Sequence, residues 1–138
     1  MRKRGAGGQA LVEFALVIPV LMLLLFGLLD LGKVVYANHT VAQAAREASR
    51  VGVVTPNAAS AKYADIRGAA MSGAPAIVLT AADVTGEGCA DCFYPEGASS
   101  GGRVVVNVSS RIDILTPLLT NLVGGSVTVT ARSVRFLP

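Results

Sequence analysis

A chain of 138 residues, 52% of them hydrophobic and with a net charge of +3, has room for one small domain and little more. Arg2, Lys3 and Arg4 supply that whole excess, and the remaining nine basic residues are matched by nine acidic ones. A neutral body with few aromatic side chains to stack on bases argues against a nucleic-acid partner, and the crowding of apolar residues into the first quarter shifts the class from soluble globule to membrane-anchored protein.

The chain opens with a short basic leader, residues 1–8, followed by an apolar run from Ala10 to Leu31 that is interrupted only by Glu13, Pro19 and Asp30. Some twenty helical residues at about 1.5 Å each span about 30 Å, the hydrocarbon thickness of a bilayer, so residues 10–31 read as a transmembrane helix. Basic residues on its N-terminal side keep the leader in the cytoplasm and send everything after Lys33 across. A cleavable secretory signal is the simpler competitor, with a weak cleavage pattern ending at Ala37, but the apolar run is too long for a signal core, and Asp30 and Lys33 sit awkwardly before that cut.

Glu13 is the anomaly. Ionised groups near a bilayer centre cost roughly 2.5–3.5 kcal/mol on insertion scales, so an acid in such a run calls for a partner or a job. Snorkelling to the cytoplasmic headgroups is the plain alternative one turn from the helix start. Pro19 removes a helical hydrogen bond and loosens the helix locally, or is a tolerated transmembrane proline. Asp30 reads as a marker of the periplasmic edge of the bilayer, with Lys33 as its helical neighbour.

Beyond Lys33 the helix continues. Val34, Ala37, Val41, Ala44, Ala45, Ala48, Val51 and Gly52 recur at spacings of three and four and form one face, with Lys33, Asn38, Gln43, Arg46, Glu47 and Arg50 on the other. The lone histidine, His39, falls on that polar side. With no turn signal before Thr55, Pro56 and Asn57, a single helix is predicted over residues 9–54.

Residues 55–138 read as an exported α+β domain. A second helix is expected from Ser60 to Met71, packing through Ala61, Ala64, Ala69 and Met71. A poor strand around Val84 precedes the glycine-rich stretch "GEGCADCFYPEGASSGG", read as an exposed loop. In an oxidising periplasm Cys89 and Cys92 would close a small disulfide there. A thioredoxin-type site would want a βαβ pattern, and a zinc site two more ligands. The stretch "RVVVNVSSRIDI" alternates, with Val104, Val106, Val108, Ile112 and Ile114 on one face, as in an antiparallel sheet covered on one side. Thr116, Pro117 and Gly124 bracket a short helix. "SVTVTARSVRF" closes the sheet, and its apolar parity shifts between Ala131 and Val134, which predicts a bulge. One histidine, no nucleophile elbow, no phosphate loop and no metal-spaced cluster leave enzymatic readings without a site, and no cofactor is called for.

The basic leader, Gly8, "QALVEFALVIPVLMLLLFGLLDLG" and "YANHTVAQAAREASRVGV" together resemble the TadE-like family, minor pseudopilins of tight-adherence type IV pilus systems. The resemblance is specific over about the first fifty residues. It implies a pilin-like fold, with a long N-terminal helix packed on a small antiparallel sheet, and cleavage by a membrane-embedded prepilin peptidase between Gly8 and Gln9. Gly7 leaves an ambiguity of one residue that the spacing to Glu13 resolves toward Gly8. Glu13 would then be the fifth mature residue, beside Phe14 as the family's glutamate-aromatic pair requires, and would attract the N-terminal amine of a neighbouring subunit. Pro19 also has a family counterpart, where local melting helps a subunit fit the filament.

Partners implied are the peptidase, other pilins and pseudopilins, the inner-membrane assembly platform, the lipid bilayer, and copies of the same chain through the N-terminal helix. The location implied is the bacterial inner membrane, with the C-terminal domain periplasmic, or the extracellular pilus after assembly. The rival from another class is a permanently anchored periplasmic scaffold or binding protein in which Gly8 and Glu13 are incidental.

Overall fold

The computed structural model describes residues 6–54, 56, 60–116, 120–121 and 124–138. Residues 1–5 of the leader, Thr55, Asn57 and Pro117 therefore lie outside the described residues. Helix α1 runs Ala6–Val53 without a break, and Pro19 sits inside it. Helix α2 (Ser60–Ser72) follows, then a 3₁₀ turn (Ala81–Asp83), strands β1 (Val84–Thr85), β2 (Arg103–Asp113) and β3 (Ser126–Phe136). The three strands form one antiparallel sheet in the order β1-β2-β3, so the fold is α+β, a long apolar helix with a small sheet.

The two halves of α1 have different surroundings. From Gly8 to Leu29 its side chains are exposed or nearly so, and the most apolar stretch, with a mean hydropathy of 2.6, has none of its residues buried. From Asp30 onward one stripe is covered: Ala37, Val41, Ala44, Ala45, Ala48 and Gly52, the face expected from the spacing. His39 is exposed on the opposite side. Small residues on that stripe let the backbone of α2 approach closely. A Cβ on Gly73 would lie 3.2 Å from Ala44 Cα, so the end of α2 meets α1 at a point where only glycine fits without displacement.

The core forms where the stripe meets Ile66 and Ala70 of α2, the even-numbered valines of β2, Val84 of β1, and Phe93 and Tyr94 from the long connection between β1 and β2. Its apolar packing is the main force holding the body to the helix, at about 1.5–3 kcal/mol for each large side chain fully buried.

Four expectations change here. The buried face of α2 is carried by Ile66 and Ala70, whereas Ala61, Ala64 and Met71 are exposed. An alanine-rich helix has weak periodicity, and the one large β-branched side chain decides which way it turns. The cysteine-bearing loop is not merely exposed: it buries Phe93 completely, and Tyr94 donates from its hydroxyl to Gly52 O at 2.7 Å. Phe93 packs beside Tyr63, with Arg67 over its ring at 5.4 Å.

There is also no bulge in β3. Its pairing with β2 is continuous from Arg103↔Phe136 to Asp113↔Ser126. Ala131, Ser133 and Arg135 all stay on the side facing α1, because the helix presents Ser49 there. Ser49 and Ser133 hydroxyls lie 2.8 Å apart, and Arg135 Nε donates to Ser49 Oγ at 3.2 Å. A polar contact thus occupies positions where an apolar one was expected, and Val134 and Phe136 face outward. The fourth change concerns Asp30.

Candidate functional site

Asp30 is 4% exposed, so besides standing at the end of the apolar run beside Lys33 it makes a buried contact with the body that the sequence reading had not assigned it. Its carboxylate accepts hydrogen bonds from the backbone N–H of Leu115 (3.0 and 3.1 Å to its two oxygens), from Thr116 N–H (2.8 Å to Oδ2) and from Thr116 Oγ1 (2.6 Å to Oδ2). These donors open the connection between β2 and β3. Thr120 N–H donates to Thr116 O, and Gly124 N–H to Thr120 O, a helical pattern that ends at Gly124 with φ 82°. Thr116 therefore turns its hydroxyl and amide to Asp30 at the start of that turn.

An ionised acceptor facing amides at such a start is favoured electrostatically, and charge-assisted bonds are worth about 1.5–3 kcal/mol each when desolvated. Among the described residues, Asp30 is the first buried residue of α1 counted from its N-terminus. A signal for it was present in the sequence: Asp30 lies on the same stripe as Ala37, Val41 and Ala44, at spacings of seven, four and three, and its counterpart Thr116 is a residue type that caps helix starts.

The residues assigned roles from the resemblance all lie on the bare half of α1. Gly8 and Gln9 are in the first turn, and nothing comes within 4 Å of a Cβ built on Gly8. Gln9 Nε2 donates to Glu13 Oε1 at 3.3 Å, so the two are neighbours across one turn. Phe14 is 64% exposed, and Pro19 is exposed within the unbroken helix. Gly8, Gln9 and Glu13 thus share one helical end, Phe14 and Pro19 continue along it, and all five are exposed among the described residues. Cys89 and Cys92 are joined by a disulfide in a different region, with their Cα atoms 5.3 Å apart.

That disulfide loop is braced from several sides. Asn107 Nδ2 donates to Gly86 O at 2.7 Å, and Arg67 pairs with Asp91 at 2.6 Å. A Cβ on Gly86 would fall 2.0 Å from the backbone carbon of Cys92, so the loop closes only around a glycine. Among the described residues no three His, Cys, Asp or Glu side chains converge as a metal would require. The arrangement is that of a body fastened to half of a rod, with the other half free to meet lipid or other helices.

Residues 8–50 match the model of the family described as TadE-like protein. No curated protein and no solved structure matches the chain. The matched stretch covers the bare half of α1, the clasp residue Asp30 and most of the buried stripe. The family points to tight-adherence pilus systems, and the single apolar helix is long enough for single-pass membrane anchoring.

Proposed function

We propose, from the premise that residues 8–50 are the N-terminal region of a TadE-like protein, that this chain is a minor pseudopilin, a structural subunit of a tight-adherence pilus. It is inserted with the leader in the cytoplasm, cut by a prepilin peptidase between Gly8 and Gln9, and drawn into an assembly through its N-terminal helix beside sibling pilins and the assembly platform. The observation that carries the reading is the family match, which begins at the residue proposed to precede the cut. The bareness of the apolar half supports it, since a surface that the body leaves unused suits transfer from lipid to neighbouring helices.

Glu13 has a definite role in this scheme. Before the cut its near neighbour is the neutral amide of Gln9. Cleavage gives Gln9 an α-amine, and the amine of an adjacent subunit becomes the counter-ion for Glu13. Opposite charges count for more at low dielectric, while desolvation takes back much of the gain, so the pair sets axial register more than it adds stability. Pro19 loosens the helix where it must fit among its neighbours.

The test is N-terminal sequencing and intact mass of protein from a host that carries the pilus machinery. Processing gives a chain starting at Gln9, and a bulky replacement of Gly8 makes the uncut precursor accumulate. A chain that still starts at Met1 sinks the reading and leaves a permanently anchored scaffold, and a chain starting after Ala37 indicates secretion. Glu13→Gln separates processing from assembly: normal cleavage with lost incorporation is expected, and normal incorporation would refute the electrostatic register.

A further inference from the structure

The apolar run of α1 ends at Leu31, and the first charge after it is Lys33. Strand β2 makes the reverse change. Arg111 and Asp113 are its last charged residues, and the connection that follows, residues 114–125, carries no charge at all. In sequence, Leu115, Leu118, Leu119 and Leu122 recur along it at spacings of three and four, the pattern of an apolar stripe. Leu115, at its start, is 56% exposed.

The clasp brings these two boundaries to one height. Leu115 N–H reaches the Asp30 carboxylate at 3.0 Å, which places the start of the connection within about one helical turn, about 5 Å, of the end of the apolar run. The opposite end of β2 lies farther along α1, where a Cβ on Gly52 would meet Val104 Cγ2 at 2.7 Å. The uncharged connection is thus at the end of the body nearest the bare half of the helix.

Backbone at membrane depth must satisfy its own polar groups, because lipid offers no partners. The connection does so at the amides of Ile114, which donates to Gly125 O, of Leu115 and Thr116, which donate to Asp30, and of Thr120 and Gly124, which donate to Thr116 O and Thr120 O. Those same donors enclose the Asp30 charge, which is 4% exposed. One exposed leucine is ordinary on a protein surface. A leucine that opens an uncharged stretch level with the end of a membrane-length helix continues the surface which that helix offers to lipid.

We propose that the bilayer itself covers the start of the β2–β3 connection, with Leu115 seated in the upper acyl layer beside α1. The inference rests on α1 spanning the membrane, and not on the pilus assignment. A lone helix lets the body tilt over the bilayer, whereas a second contact fixes its tilt, and the Asp30 clasp is the joint between the two.

Fluorescence quenching in phosphatidylcholine vesicles tests it. The full chain with Leu115→Cys, its own two cysteines still bonded, takes a single environment-sensitive thiol label, and slow amide exchange at Thr116 verifies that the clasp survives the substitution. Lipids carrying a nitroxide high on the acyl chain should quench this label severalfold more than aqueous iodide does. A label at Thr130→Cys, exposed on β3, should show the reverse. A Leu115 label as open to iodide as the one at Thr130 overturns the proposal. Shielding from both quenchers that disappears when the chain is diluted in lipid means that a second copy covers Leu115, and overturns it equally. A label at Phe26→Cys separates premise from inference. Lipid quenching there with iodide quenching at Leu115 refutes the second contact alone, and iodide quenching at both positions refutes the membrane span and the proposal with it.

Discussion

The two halves of α1 are one unbroken helix with opposite fates. Residues 8–29 carry large apolar side chains on every side and none of them is buried among the described residues, whereas residues 30–53 carry small apolar residues on one stripe and charges on the rest, and bury the stripe. The contrast shows that hydrophobicity alone does not decide what a helix packs against. Leucine on all faces offers no groove for a particular neighbour and is matched by lipid, while alanine and glycine along one line let a second helix and a sheet come close enough for directional contacts.

The comparison is tested most severely by removing an aromatic ring from each environment. Phe93→Ala should cost about 3–5 kcal/mol in stability of the body, because a fully buried ring leaves a cavity. Phe26→Ala, on the bare half, should change it by less than about 0.5 kcal/mol. Denaturant titration of the full chain in micelles, followed through the tyrosines that pack around Phe93, reads both, and equal effects would erase the distinction between the halves.

A smaller effect separates the two acids of the apolar run. Asp30→Ala strands the N–H groups of Leu115 and Thr116, and should cost about 2–3 kcal/mol and speed amide exchange at both. Glu13→Ala should leave the same amides and the same melt untouched, since Glu13 is exposed and far along the free half. Exchange measured by mass spectrometry on both variants decides whether Asp30 is the clasp.

The smallest effect concerns the solvent side of the buried half. Arg50 donates to Glu47 at 2.6 Å and holds its carboxyl below its ordinary value of 4.5. A lowered pKa means that the folded state favours the ionised form. The contribution is therefore complete above the ordinary glutamate range and is lost as pH falls through the lowered value. The pair is exposed and screened, so the gap in midpoint between wild type and Glu47→Gln should be slight at neutral pH and vanish once acid has titrated the lowered carboxyl. A gap that widens on acidification would reverse the sign.

Much of this was legible without coordinates. The long apolar helix follows from hydropathy and length, and the buried stripe on the second half of α1, the alternation in β2 and the α+β order follow from periodicities of 3.6 and 2 that local geometry imposes. The miscast elements share a cause. Ser133 and Arg135 broke the apolar parity of β3, and a bulge was the local explanation, but the strand keeps its register because Ser49 supplies a polar partner from a residue 84 positions away. Phe93 and Tyr94 lie in a stretch dominated by glycine and turn residues, so composition marked it as exposed, and only the position of α2 gives the rings a place to go.

What the sequence by itself determined is the division of the chain into an apolar rod long enough to cross a bilayer, a half-buried continuation and a small sheet, because side-chain size and spacing act along the chain. The tertiary structure decided which acid is buried, which loop enters the core and which polar contact keeps β3 in register. Those depend on backbone amides, aromatic rings and hydroxyls brought together from distant positions, and such pairings become defined only when the chain has folded back on the helix.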